Sequence, residues 1–142
     1  MFRVLFLFLI STSAIADTSL VVGGFSYHIG EREYEDYEEK KPYNEVNPTL
    51  GVCVDDWCLV RSKLSYHNWG TAVYNERMYS KGKIAWGIRL GLVHGYEDTP
   101  VDMKIVPMFQ PIINFSTQVG TTQTGVMFTG SLVLTVNYKY KF

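Results

Sequence analysis

Three histidines, two cysteines and one acidic stretch are the residues of this chain that could do chemistry. His28, His67 and His94 stand apart in sequence, each able to hold or move a proton near neutral pH. Cys53 and Cys58 flank Asp55 and Asp56 and are the chain's two cysteines. In an exported chain, two cysteines this close across a turn predict a disulfide. They do not predict a metal centre, because a structural zinc site takes four ligands. No metal and no cofactor is expected. Residues 30–43 read G-E-R-E-Y-E-D-Y-E-E-K-K-P-Y, which is acidic, tyrosine-rich and without alternation. They predict the longest loop of the protein. Such a run could attract divalent cations or a basic partner, and a plain solvated loop is the simpler expectation. The formal net charge is −1. With no basic excess, nucleic acid is excluded as a partner.

The elements that would position these residues are strands. Residues 132–142 read L-V-L-T-V-N-Y-K-Y-K-F. Leu132, Leu134, Val136, Tyr138, Tyr140 and Phe142 share one face, and Val133, Thr135, Asn137, Lys139 and Lys141 share the other. Period two with one apolar face is a β-strand. Its length matches the roughly 9–11 residues that cross a bilayer as a tilted strand. The other end of the chain has the form of a secretory signal peptide over 1–16. Arg3 supplies the charge, Val4 to Ile10 the apolar run, and Ala14-Ile15-Ala16 the small-x-small cleavage site. The mature chain, 17–142, then forms a single domain long enough for eight strands of roughly ten residues with turns and loops. No later segment approaches eighteen apolar residues in a row. A membrane form must therefore be a closed barrel, which satisfies every backbone group in lipid. The expected fold is all-β: an eight-stranded antiparallel up-and-down transmembrane β-barrel of the bacterial outer membrane.

Alternation assigns faces along the chain. In 18–28, Phe25 and Tyr27 oppose Gly24, Ser26 and His28. The next strand, 47–54, puts Pro48, Leu50, Val52 and Val54 together, and Asp55-Asp56 turns the chain. In 57–67, Arg61, Lys63, Ser65 and His67 share a face. Arg and Lys are costly in lipid at mid-depth, so that face is expected to look into the barrel. Under this facing Cys53 and Cys58 point apart, and a bulge or longer turn at 54–57 is needed to bridge them. A short loop is expected at 68–72 and a fourth strand at 73–80. In 84–96, Ile84, Trp86, Ile88, Leu90 and Leu92 are expected outward, with Ala85, Gly87, Arg89, Gly91, Val93 and Gly95 inward. In 103–115, Lys104, Gln110 and Asn114 are expected inward. The lumen should then be divided. Lys63, Arg89, Gln110, Asn114, Lys139 and Lys141 make a polar half, with Glu76 as counter-charge. Gly24, Gly51, Gly91, Gly95, Val106 and Met108 line a small apolar cavity nearer the outer end, able to take one acyl chain.

Several features in order carry a family resemblance. Tyr27-His28 closes the first strand. Tyr43-Asn44-Glu45, Pro48 and Gly51 follow the long loop. The glycine-alternating stretch Trp86 to Gly95 precedes Pro107 and Pro111, and the chain ends on Phe142. Together they resemble the lipid A palmitoyltransferase family of the outer membrane. The resemblance implies an eight-stranded barrel that moves a palmitoyl chain from a phospholipid to lipid A. It implies a catalytic role for His28, and a lateral gate for lipid at Pro48, Pro107 and Pro111, where proline removes a ladder donor. The family's essential Asp-Ser pair falls on Asn68 and Trp69. Asn cannot act as a base and Trp has no hydroxyl. The expected function is therefore a monomeric, non-catalytic surface barrel that binds outer-membrane lipid (phospholipid or lipopolysaccharide) or a partner. The alternative is a lipid acyltransferase with an altered catalytic site at His28 and Asn68. A bland role for His28, hydrogen-bonded to loop backbone at the rim, and a soluble lipocalin-like barrel are the remaining readings.

Overall fold

The computed structural model describes residues 17–30, 33–128 and 132–141; the expected signal segment and Phe142 lie outside the described residues. The strands are β1 (Thr18–Ile29), β2 (Glu33–Asp36), β3 (Glu39–Pro42), β4 (Thr49–Val54), β5 (Trp57–Lys63), β6 (Trp69–Met78), β7 (Ile84–Tyr96), β8 (Met103–Ser116), β9 (Gly120–Phe128) and β10 (Leu132–Lys141). Eight of them close a barrel in the order β1-β10-β9-β8-β7-β6-β5-β4, with every ladder antiparallel. β2 and β3 form a separate hairpin. The connections at residues 55–56, 79–83 and 117–119 are short and mark one end of the barrel, where Ser19 also pairs with Lys141. The hairpin and the segments 64–68 and 97–102 mark the opposite, loop end.

The barrel is apolar outside and polar inside. Phe25 and Ile84 are 61% and 66% exposed on the wall, while Glu76, Arg89 and Gln123 are 5%, 3% and 0% exposed within it. β7 and β10 follow their sequence alternation. At β1 a bulge between Val22 and Phe25 carries Gly23 and Gly24 at φ of 73° and 148°. The extra residue resets the alternation, so Ser19 and Val21 face in below it and Ser26 and His28 above it. A Cβ on Gly24 would lie 2.2 Å from the Asn47 carbonyl oxygen. That position is closed to side chains by both conformation and space.

Three expectations are corrected. First, β5 faces the other way: Cys58 and Val60 are buried in the lumen, and Arg61 is exposed on the wall, its guanidinium 5.9 Å from the Trp69 ring centroid. The cause is the tight Asp55-Asp56 turn. It pairs Val54 with Trp57 and Cys53 with Cys58, so both cysteines point inward and form the disulfide without any bulge. Lys63 is half-buried at the loop end of the strand and Lys104 is exposed, so neither stands in mid-lumen. Second, β6 begins at Trp69, because Lys63 and Trp69 continue the ladder; the loop expected at 68–72 contracts to a turn over 64–68. Third, the acidic stretch is not a plain loop. Glu33 to Asp36 pairs with Glu39 to Pro42. Tyr37 and Glu38 both have positive φ, 47° and 78°, the geometry of a type I′ hairpin turn. Lys41 and Asp36 bridge the two strands at 2.6 Å.

Gly91 shows how tightly the wall is drawn. A Cβ there would sit 2.1 Å from the Val73 carbonyl oxygen and 2.6 Å from the Tyr74 Cα, both backbone atoms of the paired strand. Backbone cannot swing aside as a flexible side chain can. Gly91→Ala is expected to destabilise the barrel by about 1–3 kcal/mol, read as a lower urea midpoint for unfolding of the purified protein.

Candidate functional site

Two side-chain assemblies fill the lumen. The deeper one is centred on Glu76. Arg89 donates from Nε to Glu76 Oε2 at 3.0 Å, from Nη1 to Gln110 Oε1 at 3.0 Å, and from Nη2 to Gln123 Oε1. Gln123 Nε2 donates to Glu76 Oε1 at 3.0 Å and to Asn114 Oδ1 at 3.2 Å. Lys139 Nζ reaches Glu76 Oε1 at 3.3 Å, and Gln110 Nε2 donates to Thr135 Oγ1 at 2.6 Å. The guanidinium also lies 5.0 Å from the Tyr74 ring centroid. Strands β6 to β10 each contribute, so the network runs across the barrel. Buried charge is tolerated only when paired and hydrogen-bonded, and here one carboxylate answers two cations with amides completing the donors. Both carboxylate oxygens accept from these structural partners. Glu76 meets the role expected of it as counter-charge.

The second assembly closes the loop end. His28 is 1% exposed and lies face to face with Tyr43, ring centroids 3.7 Å apart and planes 6° from parallel. Tyr34, from the hairpin, contacts Tyr43 at 5.2 Å and meets Tyr66 edge-on at 4.9 Å. Tyr66 in turn meets Tyr96 at 6.1 Å. Edge-on and offset ring pairs of this kind are favourable beyond the area they bury. Burial raises the phenol pKa of Tyr66 well above its ordinary range, and the neighbouring Tyr43 adds to the effect. Burial likewise raises that of Tyr34. Tyr34 and Tyr66 therefore stay uncharged at any ordinary pH. Neither ring nitrogen of His28 has a hydrogen-bond partner among the described residues.

Residues 43–48 hold the cap in place. Asn44 N–H donates to Ser65 O at 2.7 Å, and its side-chain amide donates to Val46 O at 2.7 Å and Leu64 O at 3.3 Å. Ser26 Oγ donates to Asn44 O at 3.1 Å. Between cap and network lies a cavity of about 110 Å³ lined by Val60, Ala72, Val93, Met108 and Met127 among others. A second space of about 100 Å³ adjoins it under the β1 bulge, beside Gly24, Asn47 and Asn137. A cavity of roughly 150 Å³ takes one benzene, so the first is too small for an acyl chain as it stands.

The expected site residues distribute as follows. Met108 lines the cavity and Val106 packs against the core. Gly51, Gly91 and Gly95 do not open it. A Cβ at Gly51 would meet Val60 Cγ2 at 2.5 Å, and one at Gly95 would meet Gly70 Cα at 2.7 Å. Their missing side chains admit neighbours instead of leaving space. Pro48 sits where the β1–β4 ladder ends at Val22 and Leu50, its carbonyl accepting from Lys63 N–H at 3.1 Å. Pro107 and Pro111 face outward on β8, and the β8–β9 ladder starts at Ile112 and Gly125, just past them. The three prolines thus mark the ends of two short seams. Asn68 donates to Glu97 O at 3.0 Å and makes no hydrogen bond to His28 among the described residues. His67 Nε2 pairs with Pro42 O at 2.9 Å, and His94 stands outside, 3.9 Å from Glu97. The residues that sequence reasoning missed are Tyr34, Tyr66 and Gln123. Gln123 was legible from alternation in its strand; Tyr34 was hidden inside a stretch without period, and Tyr66 inside a stretch read as strand that ends at Lys63.

No family model matches this chain, and no curated protein matches it. Among the described residues, no group of three or more His, Cys, Asp or Glu is placed to hold a metal ion.

Removing the central carboxylate leaves Arg89 and Lys139 buried without an anion. Glu76→Ala is expected to cost about 3–5 kcal/mol, and Glu76→Gln less, because it keeps an acceptor. Urea unfolding of the purified variants, followed by the loss of near-ultraviolet circular dichroism, measures both.

Proposed function

We propose that this chain is a monomeric integral barrel of the bacterial outer membrane that binds lipid or a surface partner and catalyses no reaction. The observation that carries the reading is the inverted wall: large apolar side chains stand exposed all around the barrel while charges are buried inside. A soluble monomer rarely exposes an apolar patch beyond a few hundred Å², whereas lipid-facing strands require one. Aromatics gather near both ends of the wall, Trp57, Tyr79 and Trp86 toward the short turns and Tyr27 and Trp69 toward the loops. Such girdles belong at the two bilayer interfaces. Arg61 fits the same picture. It lies two pairs below Trp69 on the ladder, near enough to the loop end for its long side chain to reach headgroups.

The lumen argues for binding over transport or catalysis. The Glu76 network bars it, so no open channel is expected. At the loop end the imidazole of His28 is covered by Tyr43, and neither a carboxylate nor a hydroxyl is hydrogen-bonded to it. Nucleophilic or general-base chemistry needs such a partner and an opening for substrate. On this reading the chain is a divergent relative of the lipid A palmitoyltransferases in which the acid–hydroxyl pair is replaced by Asn68 and Trp69. The alternative, acyl transfer at His28, draws on the unpaired ring nitrogens alone. Lipid, phospholipid or lipopolysaccharide, meets the protein on the outer wall, and the acidic hairpin is the surface offered to a partner outside the cell.

The protein is expected to fractionate with outer membranes and to migrate faster on gels when unheated. Recovery as a soluble periplasmic monomer would refute the membrane reading. Mass spectra of lipid A from cells with and without the protein are expected to be identical. An added acyl chain that disappears in His28→Ala would instead establish the acyltransferase.

A further inference from the structure

We propose that His28 is a proton-operated latch for the mouth of the barrel: the neutral imidazole holds the β2–β3 hairpin and its tyrosine cap closed, and protonation releases them. This goes beyond the reading of the protein as a non-catalytic barrel and does not depend on which lipid or partner it binds.

The latch is a matter of what surrounds the ring. His28 is held from one side by β1, which is paired with β10 through His28 and Val133. Tyr43 covers its face, and Tyr34 and Tyr66 pack around Tyr43. A neutral imidazole fits there as an aromatic plate. In the closed cap neither ring nitrogen has a hydrogen-bond partner among the described residues, and a buried polar group left so is costly. A second proton turns both ring nitrogens into donors and adds a full charge. Among the described residues no acceptor stands within reach of either nitrogen. The groups that could answer the charge are few. Glu45, on the 43–48 segment, is the acid whose field reaches the ring, and it is exposed and so screened by water. The tyrosines offer neutral faces. The hairpin's Asp36 is engaged by Lys41. His67, on the 64–68 turn, bonds Pro42 O and donates equally well when protonated, so acid does not cut that tie. Stacking on Tyr43 gives an imidazolium some cation–π attraction, which is a small part of the hydration it loses. The charged ring must therefore reach water.

Which side yields follows from the bonding. β1 is locked on the wall by its β10 ladder across Phe25 to Ile29. The hairpin is not part of the barrel sheet. It is held at the mouth by Tyr34 among its ring contacts and by the Pro42 to His67 bond. The hairpin's Tyr34 packs on Tyr43, so lifting it frees the Tyr43 ring to turn off His28 and admit water, while the barrel ladders and the Asn44 N–H bond to Ser65 O stay in place. The hairpin also carries Glu33, Glu35, Glu38 and Glu39, whose negative charge keeps it soluble once raised. The geometry thus makes the hairpin the moving part and the barrel the frame.

Hydrogen exchange tests this on the purified, folded full-length protein. Amide protection across residues 33–43, corrected for the intrinsic pH dependence of exchange, is compared at about pH 7.5 and about pH 4.5, which bracket ordinary histidine titration. Protection is expected to fall by about tenfold or more in acid, with β7 amides unchanged. In His28→Phe, which keeps a ring against Tyr43 and cannot take a proton, protection of 33–43 is expected to stay flat. Equal loss in that variant, or no loss in the wild type, would overturn the latch. If His28→Phe does not fold, the wild type decides alone. Nuclear magnetic resonance of the His28 ring follows its protonation in the same samples, and the hairpin must loosen over the pH range in which that ring titrates. Loosening while the ring stays neutral, or a charged ring beneath a protected hairpin, would equally rule the latch out.

Discussion

A carboxylate in the middle of a closed barrel sets the terms for everything around it. Glu76 is almost wholly buried, and it is kept there by Arg89, Lys139 and Gln123, each from a different strand. Closure brings β6, β7, β9 and β10 to one point; no two consecutive strands could satisfy the group. The dependence runs both ways. With the carboxylate matched, inward-facing charge costs little, and the barrel can spend its apolar residues on the outer wall. Without it, two cations would share a small lumen with no anion. Because the network spans the barrel, it also divides the interior into a polar half and a half that belongs to the mouth.

The mouth obeys a different rule. There the inward groups are mostly aromatic, held by ring packing and by a hydrogen bond between Tyr66 and Tyr43. Tyr34, Tyr43, Tyr66 and Tyr96 form a chain of ring contacts from the hairpin to the wall, with His28 stacked at one end. The segment 43–48 makes this possible. It leaves the hairpin, lies against β1 and the 64–68 turn, and takes over the hydrogen bonds that the β1–β4 ladder drops after Val22. The bulge at Gly23 and Gly24 is the price of turning β1 toward that segment, and it is also what points His28 inward. The same residue pattern that once suggested a catalytic histidine at a strand end thus places a histidine inside a cap of tyrosines.

Much of the wall was readable in advance, and the failures have two causes. Period two in 84–94 and 134–140 gave correct faces because each strand there is long, unbulged and clearly two-sided. In 57–63 the polar face was assigned by the rule that Arg avoids lipid. That rule weakens near an end of the barrel, where Arg61 rests on Trp69 and can reach past the apolar band. The turn at Asp55-Asp56 held the contrary information. Two residues between Val54 and Trp57 oblige Cys53 and Cys58 to share a face, and Val60 to join them. The glycines misled in another way: at Gly51 and Gly91 the absent side chain is filled by a neighbour, so small residues in a lumen do not by themselves make a hole.

By itself the sequence determined the eight barrel strands and the pairing of its two cysteines, because alternation and tight turns act within a few residues. It also determined that buried charges in 76, 89 and 139 would need one another. Only the tertiary structure decided that they meet at Glu76, since closure depends on the tilt and register of all eight strands together. Only it decided that an aperiodic acidic stretch folds into a hairpin whose single buried tyrosine reaches the mouth. And only it decided that His28 is stacked on a tyrosine with no acid hydrogen-bonded to it, because Tyr43 and the rings behind it come from segments whose course no local pattern specifies.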